Sequence, residues 1–172
     1  MTLTTKRLTL TPVNMSHLQS TFEYAGNPEN TKFMMFLPYD SLEETREVLE
    51  QSVKNWYDKN PAYRHFAIML GDTHIGEITL YFVDDPKRAE LGWVIHRDYW
   101  NRGYTTEAAL AMLEYAKRVW DIECVFACCD SENTGSYRVM EKIGMHRVSC
   151  TPGRKNRSSQ EARYELLYEI ML

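Results

Sequence analysis

The sequence predicts a mixed α+β domain with a mostly antiparallel, twisted sheet flanked by helices. Three observations carry this. Three strand-like runs between His65 and His96 follow one another through short turns, so they must be antiparallel neighbours. The stretch after Gly103 then switches to a 3.6-residue apolar period. Ile122–Cys129 is continuously apolar, the mark of a strand buried on both faces. Antiparallel hairpins therefore meet a β-α-β crossover, which requires one mixed sheet.

The elements follow in order. Lys6–Thr11 alternates Leu8 and Leu10 with polar residues and reads as a strand, stopped by Pro12 and Asn14. Ser16–Tyr24 reads as a short helix closed by Gly26, Asn27 and Pro28. Ser41 with Glu44 makes a capping box, and Leu42, Leu49, Val53 and Trp56 give the helix that follows a buried face. The strands His65–Leu70, His74–Val83 and Ala89–His96 are separated by Gly71-Asp72 and by Asp84-Asp85-Pro86. From Gly103 to Trp120, Ala108, Ala109, Met112, Leu113, Ala116, Val119 and Trp120 form an amphipathic stripe. Asn133–Ile143 is a further helix with Gly144 as its left-handed cap, and Met145–Cys150 and Ala162–Ile170 are the last strands. The order is β-α-α-β-β-β-α-β-α-β-β. No repeat or linker interrupts it, so residues 1–172 are expected to be one domain.

Composition narrows the function. A formal net charge of −4 argues against coating nucleic acid or an anionic membrane. No apolar run of about 18 residues occurs, and Met1–Pro12 lacks the apolar core of a signal peptide, so a cytoplasmic protein is expected. Cys124, Cys128 and Cys129 crowd into one strand without partners at zinc-finger spacing, and with Cys150 they read as reduced thiols, with no metal site expected. His65, His74, His96 and His146 show no triad-like arrangement. The basic run Gly153-Arg154-Lys155-Asn156-Arg157 reads as a solvated loop or, alternatively, as a holder of an acidic group.

The chemistry concentrates between Glu90 and Glu107, where a strand ends, a polar loop turns and a helix begins at Gly103. The first N–H groups of a helix lack intrahelical partners and, with the helix dipole, attract anions. Gly103 permits close approach, and Thr105 and Thr106 add hydroxyl donors. The spacing is neither a P-loop nor a dinucleotide fingerprint. Glu90 and Glu77, on strands among apolar neighbours, are the candidate general bases, with Glu90 preferred.

Trp100-Asn101-Arg102-Gly103-Tyr104-Thr105 resembles the pyrophosphate loop of the GNAT superfamily of N-acetyltransferases, (Gln/Arg)-x-x-Gly-x-(Gly/Ala). The match is closest to the branch of ribosomal-protein N-terminal Ser/Ala acetyltransferases, in which Trp commonly opens the loop and Gly-Tyr-Ala-Thr-Glu-Ala opens the helix. Thr105 replaces that alanine here. Asn133-Thr134-Gly135-Ser136-Tyr137-Arg138-Val139-Met140-Glu141-Lys142-Ile143-Gly144-Met145 resembles the same branch's Asn-x-x-Ser-x-(Arg/Lys)-x-x-Glu-Lys-x-Gly-Phe segment, with Met145 in place of the aromatic.

The resemblance implies a V-shaped splay between the fourth and fifth predicted strands. The pantetheine arm of acetyl-CoA would lie there against the backbone of Trp93, Val94 and Ile95. Its pyrophosphate would rest on the amides of Arg102, Gly103, Tyr104, Thr105 and Thr106, Asn133 would hold the pantetheine, and Ser136 would lie near the sulfur. Many GNAT enzymes place a tyrosine acid seven residues after the asparagine. Met140 occupies that position, which leaves Ser136, and less directly Tyr137, for the leaving thiolate. The implied function is acetyl transfer from acetyl-CoA to a primary amine, a protein N-terminus or a small molecule. The alternative is a catalytically silent module that binds coenzyme A. The sequence leaves the acceptor and a homodimeric state open.

Overall fold

Short turns and alternating apolar residues order the first half of the sheet. In the computed structural model, which describes Met1–Leu172, β1 (Leu3–Thr4) and β2 (Thr9–Pro12) precede α1 (Leu18–Ala25) and α2 (Leu42–Trp56). Then come β3 (Tyr63–Leu70), β4 (Thr73–Phe82) and β5 (Arg88–Ile95), α3 (Tyr104–Trp120), β6 (Cys124–Asp130), α4 (Thr134–Lys142), β7 (His146–Arg154) and β8 (Arg163–Met171). All eight strands form one sheet in the order β1-β2-β3-β4-β5-β6-β8-β7. Every pair is antiparallel except β5 with β6. The predicted mixed, mostly antiparallel sheet is the observed one, and α3 supplies the crossover that a parallel pair requires.

The first predicted strand needs correction. Lys6 and Arg7 lie in a bend between β1 and β2, because Thr5 bonds Leu8 through its N–H, at 2.9 Å, and through its hydroxyl, at 3.2 Å. A side-chain hydroxyl competing locally for backbone partners produces a turn that alternation alone does not reveal. β7 also runs four residues further than expected, to Arg154. Val119, assigned to the buried stripe of α3, is half exposed.

The main core lies between the sheet and α3 and α4. Ala108, Ala109, Met112 and Ala116 of α3, with Met140 of α4, pack on Leu80, Leu91, Val125 and Ala127. Alanines let α3 sit close on the sheet. A smaller cluster of Val13, Leu49 and Ala67 lies beneath α1 and α2. Side chains alternate along β5: Ala89, Leu91 and Ile95 enter the main core, while Glu90, Gly92 and Val94 face the other way. Gly76 lets β4 approach β5 at the same place, since a Cβ there would overlap the Val94 carbonyl oxygen and the Ile95 Cα.

Candidate active site

The parallel ladder between β5 and β6 is short. Its register runs Arg88 to Cys124, Ala89 to Val125 and Glu90 to Phe126, and there it ends. β5 continues to Ile95 and β6 to Asp130 without meeting again, so the two strands splay. This is the expected V, between the fourth and fifth predicted strands.

Alternation decides which backbone groups face the gap. His96 donates its N–H to Ile75 of β4 at 2.8 Å, so the peptide groups of Val94, two residues back, also turn toward β4. Those of Trp93 and Ile95 turn toward the gap. The Ile95 carbonyl is already occupied by Asn30 Nδ2 at 3.1 Å and Trp100 Nε1 at 2.8 Å. The expectation of three equivalent backbone contacts therefore narrows to the N–H and C=O of Trp93 and the N–H of Ile95. Val94 contributes its side chain to the groove wall.

From the mouth of the V the chain enters the loop that opens α3. Asn101 and Gly103 adopt left-handed backbone, at φ 59° and 78°. The N–H groups from Asn101 to Thr106 meet no acceptor within the protein, and the first intrahelical bond is Glu107 N–H to the Gly103 carbonyl. Alternating left-handed residues with converging N–H groups form a concave anion cradle at the positive end of a 17-residue helix. Gly103→Ala is expected to cost about 1 kcal/mol of unfolding free energy, the penalty for a Cβ in left-handed backbone. A lowered urea midpoint at unchanged m-value is the check.

The cradle and the V open into one groove of about 570 Å³. Trp93, Val94, Ile95, Gly103, Tyr104, Thr105, Thr106, Asn133 and Ser136, all singled out in the sequence, line it together. Arg102 does not line it; its side chain lies over the Tyr99 ring at 5.8 Å, so only its backbone faces the cradle. Asn133 Oδ1 caps α4 by accepting the Ser136 N–H at 3.2 Å, which leaves its amide nitrogen for a ligand. The Ser136 hydroxyl lies beside the Cys129 thiol, whose pKa burial pushes up to about 11. Met140 is buried in the core, and Tyr137 packs against that core.

The electrostatics of the groove oppose those of the whole chain. Lys32, Arg138 and Lys142 line it and form no ion pair, whereas its carboxylates Glu29 and Glu132 are paired with Arg97 and Arg163. A protein of net charge −4 thus presents a cationic groove of a size for an extended polyanion.

The two candidate bases lie apart, outside this groove. Glu90 sits at the vertex of the V, opposite Tyr81, and Glu77 opposes Val94, about 13 Å further along at ordinary strand rise. Glu90 is half-buried and makes no ion pair. Burial and then the Glu165 carboxylate push its pKa above the ordinary value, against the opposing pull of Arg154. Glu77 is buried and fully engaged: it accepts from Thr21 Oγ1 at 2.9 Å and pairs with His65 Nε2 at 2.8 Å. Burial alone would raise its pKa, but His65, then His74 and Thr21, outweigh it and hold the carboxyl down to about 2.

The histidines also need correction. Ser52 Oγ lies 3.1 Å from His65 Nδ1, so Ser52, His65 and Glu77 form a triad-like row. Ser52 is sealed on the buried face of α2 and bonded to the Val48 carbonyl, so the row braces the sheet and offers no nucleophile. The basic run is only partly solvated: Arg154 and Asn156 are buried, while Gly153, Lys155 and Arg157 stay exposed. Arg154 bonds Glu165, Asn156 and the Phe33 carbonyl, and Arg157 bonds Asp40, Glu44 and the Phe36 carbonyl. These arginines clasp the α1–α2 loop to the β7–β8 loop over the sheet face that carries Glu90.

Sequence reasoning passed over Asn30. It is buried, and besides its bond to Ile95 it accepts the Arg97 N–H at 2.7 Å, tying the α1–α2 loop to the end of β5. A lone asparagine in a loop carries no sequence signal for such a bridge.

Comparison with known proteins agrees with this geometry. Residues 7–146 match the family described as acetyltransferase (GNAT) domain. The chain is 33% identical to the uncharacterized N-acetyltransferase YnaD of Bacillus subtilis, over 98% of each protein. Its fold is that of RimL, a ribosomal L7/L12 alpha-N-protein acetyltransferase solved with coenzyme A (TM-score 0.88, 14% identity, 100% of this chain and 98% of that one). It is also that of the spermidine N-acetyltransferase of Vibrio cholerae solved with coenzyme A and spermine (TM-score 0.82, 17% identity, 96% and 95% covered). A family match across most of the chain, a full-length N-acetyltransferase relative and a sheet that splays above an anion cradle lead to one conclusion: the chain belongs to the GNAT family and is an N-acetyltransferase.

Proposed function

We propose that the protein transfers the acetyl group of acetyl-CoA directly to a primary amine, with Glu90 as general base. The observation that carries this reading is the cradle of free N–H groups from Asn101 to Thr106, opening into a groove whose unpaired charges are cationic. Coenzyme A bears a diphosphate and a 3′-phosphate on an extended, amide-bearing arm, and each part has a counterpart here. The cradle suits the diphosphate, Trp93 and Ile95 offer backbone partners to the arm, and Lys32, Arg138 and Lys142 suit the remaining charge. Acetyl-CoA supplies a thioester carbonyl carbon; the amine nitrogen bonds to it as the carbon–sulfur bond breaks.

The chain's own residues then have separable tasks. Glu90, unpaired at the vertex and made more basic by burial and by Glu165, takes the proton the amine loses. Ser136 donates a hydrogen bond to the departing sulfur, where Met140 cannot. Glu77 is a poor base, since a carboxyl held at about 2 and already bonded has little proton affinity. The two structural neighbours act, by their names, on a protein N-terminus and on spermidine, so the acceptor is proposed at the level of a primary amine.

Calorimetry with coenzyme A should give saturable heat at one site per chain. Acetyl-dependent thiol release should then appear with at least one class among Ser- or Ala-starting peptides, polyamines and aminoglycosides. Absence of coenzyme A binding would refute the proposal. Binding without transfer to any amine would instead favour the silent-module alternative.

A further inference from the structure

Arg7, in the bend before β2, takes no part in the proposed transfer, yet its contacts converge on the cradle. Its backbone N–H donates to Glu107 Oε1 at 2.7 Å, and its Nε donates to Glu107 Oε2 at 2.7 Å. Thr5 Oγ1 adds a third bond to Glu107 Oε1 at 2.6 Å. Arg7 Nη1 donates to the Arg102 carbonyl at 3.0 Å, and the guanidinium lies 4.5 Å from the centre of the Tyr104 ring. Nη2 makes no hydrogen bond and is the closest atom, at 3.5 Å, to where a Cβ on Gly103 would stand. Arg7 thus contacts Arg102 and Tyr104, on either side of Gly103, and the one acidic side chain in the first turn of α3.

That acidic side chain poses an electrostatic problem. A carboxylate at a helix N-terminus is attracted by the same dipole and amides that attract a phosphate. Unneutralised, Glu107 would compete with an incoming diphosphate and repel it. We infer that Arg7 is a determinant of coenzyme A affinity: it neutralises Glu107 and lays a free guanidinium nitrogen beside the diphosphate cradle. The inference rests on the reading that the cradle holds the diphosphate. The pKa of Glu107 is consistent with it: burial would raise it, and the bonds from Thr5 and Arg7 outweigh burial and lower it.

Calorimetric titration of coenzyme A into the wild type, Arg7→Ala, Glu107→Gln and the double variant tests this. Arg7→Ala should weaken binding about tenfold, the size of one local charge at a helix end. Glu107→Gln should bind as tightly as the wild type or tighter, and the double variant should recover most of the loss. A purely structural clamp predicts the reverse: Glu107→Gln weakens binding and the double variant is no better than Arg7→Ala. That result, or Arg7→Ala within twofold of the wild type, would overturn the inference while leaving the cradle in place. A wild type that binds no coenzyme A removes both. Should Arg7→Ala fail to fold, Arg7→Gln replaces it: it removes the charge and keeps most of the side chain, and the same tenfold loss, recovered by adding Glu107→Gln, is expected, whereas binding within about twofold of the wild type overturns the inference.

Discussion

Glu90→Gln is expected to lower kcat by about two orders of magnitude, within the range contributed by a positioned general base. Coenzyme A affinity should stay within about twofold, because Glu90 is not among the residues that line the groove. The amide keeps the shape of the side chain and removes its proton affinity, so the loss belongs in kcat. The pH dependence gives a second readout. Burial and Glu165 raise the Glu90 pKa, so the base is lost on acidification at a higher pH than an ordinary carboxylate, whose pKa is about 4.3. The acid limb of kcat/KM should be displaced upward accordingly, and Glu90→Gln should lack that limb. A kcat reduced less than about threefold would remove Glu90 from the mechanism.

Local features of this site were legible in the sequence, and long-range ones were not. Gly103 at the junction of loop and helix, the apolar stripe from Ala108 to Ala116 and the left-handed Gly144 after α4 are local patterns, and the structure places each where the sequence put it. The fate of Val94 was different. Whether its peptide groups face β4 or the gap depends on register with β4, and a shift of one residue reverses the answer. The row of Ser52, His65 and Glu77 joins a helix to two strands, and no spacing in the chain announces it. The basic run from Gly153 looked solvated because sequence shows charge and not partners. Arg154 and Arg157 meet carboxylates and carbonyls contributed by residues up to 121 positions away. Arg7 was missed for a related reason: read as part of a strand, it had no cause to reach the first turn of α3.

The same limit hides the side chain on which the clasp over Glu90 depends. Asp130, at the end of β6, is fully buried. It accepts Asn156 Nδ2 at 2.6 Å, Arg163 Nε at 3.0 Å and the Glu132 N–H at 2.8 Å. Asn156 in turn accepts Arg154 Nε at 3.1 Å, and Arg154 holds the Phe33 carbonyl, so one carboxylate anchors the β7–β8 loop and, through it, the α1–α2 loop. Asp130→Ala should lower the unfolding free energy by about 1–3 kcal/mol, because it leaves the buried Asn156 amide and the Glu132 N–H without an acceptor, while Arg163 keeps its pairs with Glu132 and Glu161. Asp130→Asn, which keeps the volume and loses the charge, should cost less. The sign with pH is fixed. Burial would raise the Asp130 pKa, but Arg163, the Glu132 N–H and Asn156 outweigh it and hold it below the usual value. The stabilisation is therefore full above the unfolded-state pKa, about 3.9, and is lost as the pH falls through the lower folded-state value. Urea midpoints should separate the wild type from Asp130→Asn widely at pH 7, with the gap closing in strong acid. If the gap holds constant through acidification, the carboxylate charge does not hold the two loops together, and the clasp rests on shape alone.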